Sequence, residues 1–146
     1  MKNIYYFGYA SNLDIATLNG RLPEEPTFIG IGILADHEFE FSYPNPDGSA
    51  RANIQEKSEA QVIGLVFQIS ESSVAYFLNS EPGYDFIEKE VLLNTEVITA
   101  YTFQSGIRRE GLIPKQDYVE TILKGGKAQG ISEAYLAEIK KKSQIS

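Results

Sequence analysis

The residues best suited to chemistry form a turn near the start of the chain, Gly8–Asn12, with the sequence GYASN. Ser11 and Asn12 are strong N-cap residues for a helix that begins at Leu13. A tight turn between a strand and a helix exposes unpaired N–H groups at the positive end of the helix. The pattern therefore indicates a site for a carboxylate or a developing oxyanion. Because Asp14 follows Ser11 by three positions, an ordinary capped helix start is the alternative.

A carboxylate at the end of a predicted helix is the second candidate for a catalytic group. Pro82 pushes the residue before it out of the helical region, so the helix should end at or near Glu81. The negative end of the helix dipole disfavours an ionised carboxylate there. An acid tuned in this way can serve as both base and acid near neutral pH. Since glutamate is usually exposed, a solvated loop residue is the alternative.

Two further side chains could belong to a site. Tyr118 lies at the start of a predicted helix that follows Pro114. It could border a bound molecule, or it could anchor the helix in the core through its ring and hydroxyl. His37 stands in a strand-like segment with no partner at the spacing of metal ligands. We therefore predict that His37 is a structural or surface residue and that the chain has no metal site.

Three segments of the chain resemble the gamma-glutamylcyclotransferase family. Tyr6–Leu13, with the sequence YFGYASNL, is similar to the Y-G-S-N-L signature that opens the family, except that Ala10 replaces a glycine. Leu78–Tyr84, with the sequence LNSEPGY, resembles the L-D-x-x-E-G block, in which Asn79 replaces the aspartate. The segment 114–135 is similar to the family's C-terminal pattern of Pro, Tyr, two spaced glycines and Tyr. The resemblance covers nearly the whole chain.

The resemblance implies an α+β fold, a small mixed β-barrel flanked by helices. It also implies that Glu81 is the catalytic acid/base for cyclisation of a gamma-glutamyl amino acid or amine to 5-oxoproline. The substrate-binding residues that it implies are Tyr6, Phe7, Gly8, Tyr9, Ala10, Ser11 and Tyr118. No cofactor is needed, because nucleophile and electrophile are in one molecule. A non-catalytic small-molecule-binding module of the same fold is the main alternative. Another is an enzyme of this fold that acts on gamma-glutamylamines or on an acyl-linked antibiotic intermediate.

Composition restricts the class of protein. The chain has 146 residues, 42% of them hydrophobic, no cysteine and a net charge of -7. These values favour one domain over residues 1–146 and exclude disulfides, thiolate catalysis and zinc–sulfur sites. The negative charge argues against a nucleic-acid partner. No apolar stretch approaches the ~18 residues of a membrane span, so no membrane partner is expected. We expect a cytoplasmic monomer or homodimer.

Hydrophobic patterning predicts the elements that must position these residues. Strands are predicted at about 4–7, 27–43, 50–55, 61–69, 86–93 and 96–103. Helices are predicted from Leu13, from Ser70 to about Asn79, after Pro114 and after Ser132. Two adjacent glycines at 125 and 126 are expected to weaken or interrupt the third of these helices.

Overall fold

The computed structural model describes residues 4–144. In chain order, its strands and helices are β1 (Ile4–Gly8), α1 (Ile15–Arg21), β2 (Thr27–Pro44), β3 (Ala50–Ile69), α2 (Glu71–Ser80), β4 (Asp85–Leu93), β5 (Glu96–Gln104), α3 (Gln116–Ala128) and α4 (Glu133–Ser143). A short 3₁₀ turn at Ser11–Leu13 connects β1 to α1.

The strands close into a barrel in the order β1-β3-β2-β4-β5. β1 runs parallel to β5, whereas the β1–β3, β2–β3, β2–β4 and β4–β5 pairs are antiparallel. The predicted α+β architecture, a small mixed barrel flanked by helices, is therefore confirmed.

Irregular pairing lets the two long strands β2 and β3 curve around the barrel. Their register shifts between Phe28 and Gly30, between Ala35 and His37, and between Phe41 and Tyr43. An extra residue in one strand bends it and increases its twist, which is how such shifts close a sheet. One of these shifts falls directly before Gly30.

The segment 50–69 is one strand, although the sequence predicts two. Residues 57–60, of which Lys57 and Glu59 are charged, lie opposite Asp36, at a shift in the register of β2 and β3. The Asp36 carboxylate accepts a hydrogen bond from the Glu59 N–H at 3.1 Å, and both residues have positive φ angles. The segment therefore protrudes as an anchored bulge, and the strand continues on either side of it.

Helix α3 continues through Gly125 and Gly126, so the predicted interruption is wrong. Both glycines are buried, and each lies against another element. A Cβ atom at Gly125 would fall on the backbone of Leu13 and Asp14, and one at Gly126 would lie 2.7 Å from Leu136 Cδ2. The glycines are needed for close packing of α3 on the 3₁₀ turn and on α4.

Candidate active site

A cleft lies where β1 ends, beside the C-terminal end of α2 and the start of β3. It encloses about 400 Å³ of empty space, part of which is open to solvent. Its walls are formed by Tyr6, Tyr9, Ala10, Ser11, Asn12, Arg21, Arg51, Ala52, Glu81, Tyr84, Phe103 and Tyr118. Segments that are far apart in sequence therefore meet there, among them the turn after β1, the start of β3, the residue after α2 and the first turn of α3.

The structure brings most of the predicted site residues to this cleft and leaves two outside it. Tyr6, Tyr9, Ala10, Ser11, Glu81 and Tyr118 all line the cleft, whereas Phe7 and Gly8 do not. Phe7 is fully buried in the core, because neighbouring residues of a strand face opposite sides and Tyr6 faces the cleft. Gly8 lets the turn fold back, since a Cβ there would lie 3.2 Å from both the Tyr6 ring and Asn12 Cβ.

The predicted capping role of Ser11 and Asn12 is wrong. Helix α1 begins at Ile15 with Asp14 as its N-cap, and residues 11–13 form the 3₁₀ turn instead. The two side-chain oxygens accept hydrogen bonds from Arg21 Nη1, at 2.9 Å for Ser11 Oγ and 2.7 Å for Asn12 Oδ1. A charged donor binds such oxygens more strongly than a neutral N–H does. Arg21, at the end of α1, thus fixes the turn.

The backbone of the turn has unused hydrogen-bond donors. Two of its carbonyl groups are occupied, since Leu13 N–H donates to Ala10 O at 2.9 Å and Asp14 N–H to Ser11 O at 3.1 Å. Among residues 4–144, the N–H groups of Tyr9, Ala10 and Ser11 have no backbone acceptor. Because Ala10 and Ser11 line the cleft, these donors are available to an anionic group bound there.

Glu81 lies directly after the last residue of α2, as the proline after it predicts. Its Oε2 atom is 2.6 Å from Arg51 Nη2, and the side chains of Glu81 and Arg51 are 20% and 31% exposed. The Arg51 guanidinium also lies over the ring of Tyr84, 5.3 Å from its centroid. Sequence reasoning did not identify Arg51, because nothing in the local pattern at the start of β3 indicates which carboxylate it meets.

Tyrosine hydroxyls hold the strand that carries Arg51. The N–H of Ala52 donates to Tyr118 Oη at 3.1 Å, and the hydroxyl of Tyr84 donates to Ala52 O at 2.6 Å. Burial raises the pKa of both hydroxyls above the ordinary tyrosine value, so both remain protonated at neutral pH. Within the described residues, the Tyr118 hydroxyl hydrogen has no acceptor and can be donated to a bound molecule.

Tyr6 and Tyr9 complete the polar lining of the cleft. Tyr6 Oη accepts a hydrogen bond from Asn12 Nδ2 at 2.7 Å, and the Tyr9 hydroxyl donates to Phe103 O at 2.7 Å. Burial raises the pKa of both phenols well above the ordinary value. The cleft therefore offers neutral hydroxyl groups, backbone N–H donors, two guanidinium groups and one carboxylate.

His37 is a buried residue of the bulged strand β2, with Nδ1 2.8 Å from Ala35 O. In the part of the chain that the structure describes, no three histidine or carboxylate side chains are grouped as metal ligands would be.

Across residues 4–144, no helix has both the length and the apolar character that a membrane span requires.

The closed mixed barrel, its helices and the cleft beside the turn after β1 define the gamma-glutamylcyclotransferase-like fold. A solved gamma-glutamyl cyclotransferase matches with a TM-score of 0.86 at 22% identity, over 95% of this chain and 87% of that one. An uncharacterized human protein, loc79017, matches with a TM-score of 0.86 at 23% identity, over 96% of this chain and 88% of that one. YkqA from Bacillus subtilis matches with a TM-score of 0.83 at 20% identity, over 98% of this chain and 55% of that one.

No protein-family model matches this sequence, and no curated protein matches it. The structural matches establish the fold that the sequence resemblance implied.

Proposed function

We propose that this protein is a gamma-glutamylcyclotransferase that converts a gamma-glutamyl amino acid or amine to 5-oxoproline and the free amine. One observation carries the proposal: Glu81 lines the same cleft as the turn, in which the N–H groups of Tyr9, Ala10 and Ser11 have no backbone acceptor among the described residues. A proton-transfer group and a set of anion-binding donors thus share one space. Intramolecular acyl transfer needs both, because a proton must move while negative charge develops on an oxygen.

The groups of the cleft suit the two ends of a gamma-glutamyl unit. The N–H groups of Tyr9, Ala10 and Ser11 would bind the α-carboxylate or the oxyanion. The hydroxyls of Tyr6 and Tyr118 stay protonated and would donate hydrogen bonds to the same substrate. Bound in this way, the substrate would hold its α-amino nitrogen close to its own γ-carbonyl carbon, which supplies a large part of the rate enhancement.

Glu81 would move the proton during the reaction. It takes a proton from the α-ammonium, and the freed nitrogen attacks the γ-carbonyl carbon to form a tetrahedral intermediate. The bond from that carbon to the leaving nitrogen then breaks as Glu81 donates that proton to the leaving nitrogen. The ring nitrogen gives up the second of its two hydrogens to the departing amine, so the lactam keeps one N–H and the amine leaves protonated. The carboxylate ends as it began, and 5-oxoproline and a free amine are released. Arg51, 2.6 Å from Glu81, would hold the carboxylate at the wall of the cleft.

Incubation of the purified protein with a panel of gamma-glutamyl compounds tests this function. The panel should include gamma-glutamyl amino acids and gamma-glutamylamines, with 5-oxoproline and free amine both quantified. We expect the two products in equal amounts, because cyclisation releases one of each. Formation of glutamate in place of 5-oxoproline would indicate hydrolysis and would contradict the proposal.

A non-catalytic binding module of the same fold is the second candidate. It is favoured by the Arg51–Glu81 ion pair, because a carboxylate held by a guanidinium already has a charged partner. Calorimetry with the same panel separates the two candidates. Binding of gamma-glutamyl compounds without any 5-oxoproline would support the module and reject the enzyme.

Replacing Ala10 by Gly is expected to lower KM for a gamma-glutamyl substrate several-fold with little change in Tm. Ala10 has a φ of -126°, so glycine is not required there for a positive φ angle. Its side chain instead borders the cleft, where a methyl group takes up space that a substrate would use. Steady-state kinetics and thermal unfolding of the variant check this. A gain in Tm with an unchanged KM would show that the alanine affects the backbone and not the substrate.

A further inference from the structure

A short turn, Pro82–Gly83, follows Glu81 and leads from α2 to β4. Both of its residues are exposed, and Gly83 has a φ of +93°. The Tyr84 N–H donates to Glu81 O at 3.2 Å and closes the turn. Because exposed residues contribute little burial, the position of this turn depends on hydrogen bonds from other elements.

Hydroxyl groups bind both carbonyl groups of the turn. The Tyr43 hydroxyl donates to Pro82 O at 2.9 Å, and the Ser105 hydroxyl donates to Gly83 O at 2.6 Å. The bond from Tyr43 lies at the surface, whereas Ser105 is only 1% exposed. Water cannot easily take the place of a buried donor, so the bond from Ser105 holds the turn more firmly.

Ser105 uses its N–H, its carbonyl and its hydroxyl in hydrogen bonds. Its N–H donates to Asn53 Oδ1 at 3.0 Å. Its carbonyl accepts from Asn53 Nδ2 at 3.0 Å and from Gln55 Nε2 at 3.1 Å. Its Oγ accepts from the Ile107 N–H at 3.0 Å, which leaves the hydroxyl hydrogen for Gly83 O. The direction of that last bond is therefore fixed by the other four.

The network begins on the strand that carries Arg51. Asn53 lies two residues after Arg51 on β3, is fully buried, and binds Ser105 through both ends of its amide. A continuous set of hydrogen bonds thus runs from β3 through Ser105 to the turn after Glu81. A buried polar network in which every member is bonded favours one arrangement. The network accordingly fixes where the end of α2 lies relative to β3.

We propose that Ser105 is a positioning residue for Glu81, which it holds in place through its hydrogen bond to Gly83. This inference rests on the proposed function, in which Glu81 moves the proton. Of the described residues, neither Ser105 nor Asn53 lines the cleft, so Ser105 acts on the reaction only through the turn. Its loss should slow proton transfer and leave substrate binding nearly unchanged.

A Ser105→Ala variant tests the role. We expect kcat for 5-oxoproline formation to fall about 10- to 100-fold, because a small misplacement of a catalytic group is enough for such a loss. KM should stay within about twofold of the wild type, since no contact with the substrate is removed. The rates are measured below the Tm of the variant, so that the chain is folded. An unchanged kcat would overturn the proposal.

Two conservative variants separate the hydrogen bond from the packing of Ser105. Ser105→Thr keeps the hydroxyl and should retain most of kcat. Ser105→Cys keeps a similar volume but is a weak donor, so its kcat should lie between those of the alanine variant and the wild type. If the alanine variant does not fold, the cysteine variant decides, and a wild-type kcat there would overturn the proposal.

Ser143→Ala is the matched control. Ser143 is also a buried serine whose hydroxyl donates to a carbonyl, that of Lys140, but it lies in α4, which supplies none of the residues that line the cleft. This variant should keep both kcat and KM. A loss of kcat as large as that of Ser105→Ala would show that any lost buried hydroxyl slows the enzyme and would contradict a specific role of Ser105.

A double variant shows whether Ser105 acts through Glu81. In a Glu81→Gln background, Ser105→Ala should lower the residual rate by less than about twofold, because there is no proton-transfer group left to position. A purely structural role would lower the rate by the same factor in both backgrounds and would overturn the proposal. Absence of 5-oxoproline with the wild type would overturn the proposed function as well, whereas an active wild type with an equally active Ser105→Ala variant would overturn only the role of Ser105.

Discussion

A Glu81→Gln variant is expected to form 5-oxoproline about 10²–10⁴-fold more slowly, the range typical of the loss of a general acid–base group. Glutamine keeps the shape of the side chain but cannot take up and return a proton. The loss should appear in kcat, since the proposed role of Glu81 is proton transfer during the reaction. Steady-state rates of 5-oxoproline formation with saturating substrate measure it.

Two controls separate this effect from misfolding. The substitution leaves Arg51 without its carboxylate partner, so Tm and circular dichroism of the variant must be compared with the wild type. Glu90→Gln makes the same chemical change at an exposed position on β4 and should keep full activity. Near-wild-type turnover by a folded Glu81→Gln variant would remove Glu81 from the mechanism.

A Gly125→Ala variant is expected to lower the free energy of unfolding by about 1–3 kcal/mol, the usual cost of overpacking. The added Cβ would overlap the backbone of Leu13 and Asp14. Backbone atoms cannot rotate away as a side chain can, so α3 must shift from the 3₁₀ turn. Chemical denaturation measures the loss, and Tm should fall by several degrees in a chain of this size.

Gly20→Ala is the matched control for this prediction. Gly20 lies in α1, and a Cβ there would have nothing within 4 Å. Alanine is favoured over glycine in a helix by up to about 1 kcal/mol, so this variant should gain stability. If Gly125→Ala is as stable as Gly20→Ala, the close contact of α3 with the turn does not constrain the fold.

The parts of the site that the sequence predicted depend on local rules. Pro82 ends α2 before it and so places Glu81 at the helix end, whatever the rest of the chain does. The hydrophobic run before Gly8 and the turn after it are also local features, and β1 ends at Gly8. The resemblance then related these separate segments to one pocket, and the structure places Glu81 and the turn on the same cleft.

The parts that the sequence did not predict depend on tertiary partners. Ser11 and Asn12 have the right side chains for N-caps, but Arg21 supplies a stronger donor. Gly125 weakens a helix by its intrinsic propensity, but the contact with the 3₁₀ turn requires a residue without a side chain. Neither effect can be read from neighbours in sequence. The same holds for Arg51, whose partner Glu81 is 2.6 Å away in space but on another element.

The hydrogen bonds from Arg21 to the turn have a consequence for the kinetics of ligand capture. Arg21 belongs to α1 and holds the side chains of Ser11 and Asn12 in place. The turn therefore has its final shape before any ligand binds. A site that is ordered in advance does not lose loop entropy on association. Association should then proceed without a slow closing step, and differences in affinity among related ligands should appear mainly in their dissociation rates.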